Sequence, residues 1–517
     1  MTPDKDGYLS HRQILIVLGG LLTGMFLSAL DQSIVGTALP RITSDLGGLD
    51  KLSWVVTAYL LTATASTPLW GKISDLYGRR LLFQTAIVVF LIGSALAGSA
   101  QNMEELIGYR AVQGLGGGGL MALGLATIGD IVPPRERARY QGYMAATFGT
   151  SSVLGPLLGG WFADGPGWRW IFYVNIPIGI VALVVTSAAL KLKHVRRDHK
   201  IDYLGSAVIV ASVTLILLYT AWAGDAYGWG SSTALTLLIT GLVLAVAFVF
   251  VELRASEPII PMSMFRNSIF TVATSFSFLI GMAMFGALVF IPIYLQVVDG
   301  LSPTESGLGM VPLMIGLFTS SIACGQYMSR TGKYRRLPAI GAAITVGSLF
   351  MLASMGVDTP TWFASFSMFV MGLGLGMTMQ VLTVVVQNSV GREHIGVATS
   401  SVMFFRQMGG SFGTAFFGAI LSSRLAHHAA AAGGGISLDT DTLNNVSAIK
   451  SMPAAAQRVA EQIFSSSLHD VFIAAVPMAV LAFVIALFLK EIPLATRSTP
   501  AESVNDAVEA DATVAAH

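Results

Sequence analysis

The 517-residue chain is 54% hydrophobic and 11% charged, with a formal net charge of +1 and a mean hydropathy of +0.69. A soluble domain carries roughly 25% charged residues, so this composition excludes a water-faced globule, and the balanced charge gives no footprint for nucleic acid or an acidic partner. One cysteine, Cys324, excludes an intrachain disulfide and any CxxC metal or redox site.

A polar head, residues 1–13, precedes an apolar stretch that is too long for a signal-peptide core. It lacks a small-residue cleavage pattern and carries Asp31, so it reads as a retained first span. Crossing about 30 Å of hydrocarbon takes roughly 20 apolar residues. That length predicts an all-α polytopic membrane protein of about fourteen transmembrane helices. They fall at 14–37, 53–71, 81–100, 104–129, 141–163, 169–190, 203–223, 233–252, 269–296, 305–328, 337–356, 361–387, 397–422 and 469–489. An Ala/Gly/Ser-rich stretch, 424–467, reads as a long loop, and the Ala-, Glu- and Asp-rich residues 491–517 as a disordered tail.

Lys and Arg collect on the cytoplasmic side of membrane proteins. With both termini inside, the cytoplasmic loops hold Lys72, Arg79, Arg80, Arg135, Arg137, Arg139, Arg330, Lys333, Arg335 and Arg336 among others. Roughly 22 of the 30 basic residues then lie inside and about six outside, the asymmetry that fixes orientation. Short inner loops suggest a bacterial inner membrane.

The chain also repeats itself. Gly71-Lys72-Ile73-Ser74-Asp75-Leu76-Tyr77-Gly78-Arg79-Arg80 returns about 254 residues later in the Gly325–Arg336 segment, and the same offset carries Gly155 to Gly409 and Gly159 to Gly413. This divides the chain into a six-helix bundle (14–190), a linker with two additional helices (191–268) and a second six-helix bundle (269–490). Parallel repeats of six spans are a transporter architecture with the substrate site between the halves.

Within the Gly71–Arg80 segment the glycines suit a tight turn, and Asp75 with Arg79 and Arg80 can form a charge-assisted network across helix ends, a conformational latch. This segment resembles the signature loop of the major facilitator superfamily. Leu30-Asp31-Gln32-Ser33-Ile34-Val35-Gly36-Thr37-Ala38-Leu39-Pro40 is similar to the first-helix motif of its fourteen-span drug:proton antiporters, the EmrB/QacA-like transporters. Arg110 with Gln113-Gly114 resembles their fourth-helix motif. Gly149, Gly155, Pro156, Gly159 and Gly160 resemble their fifth-helix antiporter motif, and Trp168–Pro177 their entry to helix six. The resemblance implies the major facilitator fold and export of amphiphilic small molecules driven by the proton gradient, with no cofactor and no catalytic centre. An exporter of an endogenous lipid or metabolite uses the same machinery.

Asp31 and Arg110 fall at similar depth, on the order of 10–13 Å from the outer surface at 1.5 Å per residue. Intramembrane charges cost about 2.5–3.5 kcal/mol on insertion scales and mark function. A carboxylate beside a cation ionises more readily while burial opposes ionisation, so such a pair suits proton coupling. A buried ion pair that only fixes helix packing is the alternative. Pro156 predicts a bend in span five.

Candidate substrate-lining residues are Trp54, Tyr59, Gln113, Phe148, Phe285, Tyr294, Gln380, Gln387 and Arg406, with Met-rich spans around Met282, Met284, Met371, Met377 and Met379 suited to adaptable binding. Counterparts of Asp31 and Arg110 in the repeat fall near Ala283 and Met368, so the charge chemistry is concentrated in the first half. With no acid well inside the later spans, dication export is disfavoured, and Arg406 suits either anionic or zwitterionic substrates or a gating or packing role. The expected partners are small amphiphiles, protons and membrane lipids, and the expected state is a monomer. Gly114–Gly119 follows no strand and is no nucleotide fingerprint, and His427-His428 lacks spaced metal partners. A lipid-acting enzyme would need a polar catalytic cluster, and a channel would need rings of polar residues.

Overall fold

A computed structural model describes residues 11–47, 51–190, 202–222, 228, 230–431 and 452–494, and among them every regular element is helical. In chain order these are α1 (His11–Leu46), α2 (Leu52–Tyr77), α3 (Arg79–Ser99), α4 (Met103–Ile131), α5 (Pro134–Asp164), α6 (Trp170–Tyr173), α7 (Asn175–Ala189), α8 (Tyr203–Trp222) and α9 (Ser232–Glu252). There follow α10 (Ser268–Val297), α11 (Pro303–Gly309), α12 (Val311–Thr331), α13 (Arg336–Ala353), α14 (Thr361–Asn388), α15 (Ile395–Ala431) and α16 (Ala454–Leu487). Because α6 runs into α7 through Val174 and α11 into α12 through Met310, both in helical conformation, the sixteen helices make fourteen rods. Eleven of these are long and apolar enough to cross a membrane. The remaining three, α2, α5 and α15, carry more Ser, Thr, Arg and Gln residues, which lowers their hydropathy.

Local chemistry sets the rod ends. Asn102 accepts from the Glu105 amide at 2.8 Å to start α4, and Ser302 with Glu305 forms a capping box on α11. Gly78 turns the chain from α2 into α3 at φ 94°, a conformation that side chains with a Cβ rarely adopt, and Gly332 closes α12 in the left-handed region at φ 72°.

The repeat in the sequence becomes a repeat of contacts. The pairs α1–α5, α2–α4, α3–α4 and α1–α7 recur as α10–α15, α12–α14, α13–α14 and α10–α16. Apolar cores form within each set: Met25, Phe83, Phe90 and Leu120 in the first, Phe276, Met371, Leu375 and Phe472 in the second. The two sets meet through α5–α12 and α2–α15, which are the same contact taken in the two directions. Of the α8–α9 hairpin, α8 packs on α2 and α15, and Lys72 ties down the segment after α9 by an ion pair to Glu257 at 2.9 Å. Lipid supplies little apolar drive between helices, so close contact rests on small residues. Gly118 of α4 lies where a Cβ would run into the Ala63 carbonyl of α2, and Gly409 of α15 does the same against Phe278 of α10.

One expectation changes. Residues 424–431 and 454–467 are helical rather than loop, because Ala favours the helix and the start of α16 buries Ala460, Ile463 and Phe464 against the second core. The middle of that stretch, 432–451, the head before residue 11, the linker 191–201 and the tail beyond residue 494 lie outside the described residues.

Candidate functional site

Arg110 and Gln113 stand three residues apart on α4 and so share one face. That face meets Asp31 of α1. Arg110 Nη1 donates to Asp31 Oδ2 at 2.5 Å and to Gln113 Oε1 at 2.7 Å, while Gln113 Nε2 donates to Asp31 Oδ1 at 2.7 Å. Asn175, at the start of α7, adds a bond to Asp31 Oδ1 at 3.1 Å and another to Ser94 of α3 at 3.0 Å. Arg110 Nε reaches the Val55 carbonyl at 3.2 Å, and its guanidinium lies 4.4 Å from the centre of the Tyr59 ring. Asp31 is 0% and Arg110 1% exposed. Five helices therefore converge on one ion pair, which the Gln113 and Asn175 side chains and the Val55 carbonyl satisfy.

The pair does not line the large cavity. That space, of about 950 Å³, lies between the two helix sets. Tyr59 forms the partition: its ring covers Arg110 on one side and faces the cavity on the other, with its hydroxyl hydrogen-bonded to Ser28 at 2.9 Å. The walls are apolar and adaptable, with Met25, Met121, Met284, Met314 and Met379 beside Phe148 and Phe285.

Of the candidate substrate residues, Tyr59, Phe148, Phe285, Gln380 and Arg406 line the cavity. Four other candidates do not. Gln113 is consumed by Asp31, Tyr294 donates to the Gly356 carbonyl at 2.9 Å, and Gln387 bonds the Leu125 carbonyl at 3.1 Å and Thr399 at 3.0 Å. Trp54 sits in the first turn of α2, away from the cavity. Polar side chains at helical spacing were legible in each case, but their partners were not.

At the basic end the two sets close on each other. Asp75 accepts from the amides of Gly396 at 3.1 Å and Val397 at 2.9 Å, capping the N-terminus of α15, where the helix dipole favours an anion. Arg79 pairs with Asp75, bonds Ser74 and bridges to Asp130 of α4 at 2.6 Å. Arg80 does not join this network: it is exposed and donates to the Ser187 carbonyl at 3.0 Å, because its neighbour Arg79 takes the inward direction at the start of α3. In the second half Ser329 stands at the repeat position of Asp75, and there Arg135 of α5 donates to the Ser329 and Arg330 carbonyls at 2.7 and 2.5 Å. Asp130, Arg135, Asn175 and Ser94 were not singled out from sequence. Asn175 alone had a local signal, inside the Trp168–Pro177 segment.

The fifth-helix glycines divide in their surroundings. A Cβ on Gly149 would enter the Phe318 ring of α12, and one on Gly155 would enter Ser33 of α1. Gly160 faces open space, so its place in the motif is not close packing, and Gly159 is buried. The Pro156 side chain lies outside the described residues. His428 bonds Asp470 of α16 at 3.1 Å, with Arg424 at 3.4 Å, and neither acid nor histidine lines the cavity.

The comparisons with known proteins agree on one family. Residues 21–414 match the model of the Major Facilitator Superfamily. The chain is 39% identical over 463 residues to the multidrug transporter protein MdtP of Bacillus subtilis, covering 90% of this chain and 83% of the relative. It is 34% identical over 500 residues to multidrug resistance protein 3 of the same organism, covering 95% and 98%. In fold it superposes on a proton:xylose symporter at a TM-score of 0.60 and 15% identity, over 93% of this chain and 97% of that one. The helical rods, the central cavity and these relatives together show a multi-pass membrane transporter, and the chain belongs to the Major Facilitator Superfamily.

Proposed function

We propose that this transporter exports amphiphilic small molecules across the cytoplasmic membrane in exchange for protons. Both of the Bacillus relatives carry drug-transport names, which supports the cargo class. The observation that carries the coupling is the buried Asp31–Arg110 pair, stacked against Tyr59, which also lines the cavity. With the basic end cytoplasmic, the closed contacts of Asp75 and Arg135 support reading this as the outward-facing state of the cycle.

A proton reaching Asp31 removes the charge that holds Arg110. The guanidinium then loses its ion-pair partner, α1 loosens from α4, and Tyr59 carries the change to bound substrate. Rocking of the 14–190 bundle against the 269–490 bundle exposes the cavity to the other side. A proton-driven cycle needs only that Asp31 be charged in one state and neutral in the other.

Purified protein in proteoliposomes tests this. An imposed pH gradient should drive uptake of a fluorescent amphiphile, and Asp31→Asn should abolish gradient-driven accumulation while retaining substrate exchange without a gradient. Accumulation unchanged in Asp31→Asn would remove Asp31 from the coupling.

A further inference from the structure

Arg406 of α15 is 8% exposed and lines the central cavity. It is the only charged side chain among the described residues that do so. Among the described residues it makes no hydrogen bond, ion pair or ring contact, unlike Arg79, Arg110, Arg135 and Arg169, each of which has named partners. Asp31 and Asp75 are taken by Arg110 and Arg79. The adjacent Gln407 also lines the cavity; its Nε2 is a donor, and its buried Oε1, an acceptor without a partner among the described residues, takes a donor rather than an oxyanion. A guanidinium is always charged and presents five donors in a fixed fork. Holding it unpaired in an apolar enclosure is costly, and the cost is recovered when an oxyanion arrives.

We propose that Arg406 is the head-group site of the cavity, and that the preferred cargo is an amphiphile bearing one oxyanion, such as a carboxylate, on an apolar body. This rests on the reading of the cavity as the export site and names its substrate class. The guanidinium takes the oxyanion, and the neighbouring Gln407 amide adds a hydrogen bond. Met284, Phe285, Met314 and Phe148 receive the apolar body. The hydroxyls of Thr64, Thr383 and Ser411 offer further polar points but no negative charge. A cationic amphiphile meets an unneutralised positive charge and no acid.

The test uses full-length protein in nanodiscs of zwitterionic lipid, with empty nanodiscs as the partition control and no gradient imposed. Three probes share one naphthylalkyl body and end in a carboxylate, a hydroxyl or a primary ammonium. Wild-type protein should bind the carboxylate at least about tenfold more tightly than the alcohol, and the ammonium more weakly than the alcohol. Arg406→Gln should bring the carboxylate down to the alcohol's affinity while leaving the alcohol within about twofold. Arg406→Lys, which keeps the charge and loses the fork, should retain part of the preference. Should Arg406→Gln lose the alcohol as well, the cavity has collapsed, and the wild-type ranking and the lysine variant decide. A wild-type preference for the ammonium, equal binding of all three probes, or a carboxylate preference surviving in Arg406→Gln overturns the proposal. None of these outcomes depends on protons. A failure of coupling in Asp31→Asn leaves the ranking standing, and a failure of the ranking leaves export itself standing.

Discussion

Asp75 on α2 caps α15 by accepting from the amide of Val397 at 2.9 Å, a bond between residues 322 apart in the chain. It joins the first helix set to the second at the basic end, and Arg79 holds the carboxylate in place. A charged acceptor on a helix N-terminus is stronger than a neutral one, because it meets both the free amides and the dipole.

Asp75→Asn keeps an acceptor and removes the charge. The closed basic end should weaken by about 1–2 kcal/mol, enough to shift the balance of states about tenfold. In a Cys324→Ser background, a cysteine at Ser422, at the far end of the cavity, reports that balance through its rate of alkylation. The rate should fall several-fold in Asp75→Asn, and an unchanged rate would show that this contact does not hold the state.

Arg110→Ala leaves a carboxylate at 0% exposure without its cation. Breaking a buried pair from one side costs about 3–5 kcal/mol, so the variant should unfold well below wild type in detergent. The double change Asp31→Asn with Arg110→Gln removes both charges and should recover most of that loss. A double variant no more stable than Arg110→Ala would mean that the arginine acts through packing on Tyr59 rather than through charge.

Two glycines from one motif should respond oppositely. Gly149→Ala pushes a methyl group into Phe318 across the α5–α12 contact, and overpacking of this kind costs about 1–3 kcal/mol. Gly160→Ala meets open space and should change stability by no more than about 0.5 kcal/mol. Thermal unfolding of the purified variants separates them, and equal losses would refute the assignment of contacts.

Asp299, in the turn after α10, is half-buried, and burial raises its pKa from the ordinary 3.8 to about 6. The folded protein thus holds this proton more tightly than the unfolded chain does, so its contribution to stability falls as pH rises between those two values. Asp299→Asn should match wild type near pH 3.8 and become relatively more stable as pH rises past 6. A stability difference that is flat across that window would exclude the titration.

Rod number and the family were legible because their signals are local or written as contiguous motifs. Apolar length gives a span but not its ends: α1 continues to Leu46, α2 to Tyr77 and α16 starts at Ala454, where capping and burial rather than hydropathy decide. The loop read into 424–467 failed because Ala, Gly and Ser are ambiguous in isolation, and burial of Phe464 against the second core decided for helix. Depth along a rod brought Asp31 and Arg110 to one level, since 1.5 Å per residue is a fixed rise. It did not say which way either side chain faced.

The sequence by itself determined the membrane class, the helical rods, the repeat and the residue types able to carry charge through the cavity region. Only the tertiary structure decided the partners. Asn175 completes the Asp31 site from 144 positions away, Tyr59 walls that site from the cavity, and Gln387 becomes a bond to the Leu125 carbonyl rather than a substrate contact. The same packing pairs Arg79 and leaves Arg406 alone. The reason is physical: an intramembrane polar group is defined by what satisfies it. In a bundle of long helices those groups come from distant rods, whose azimuth is set by small-residue contacts rather than by any local pattern.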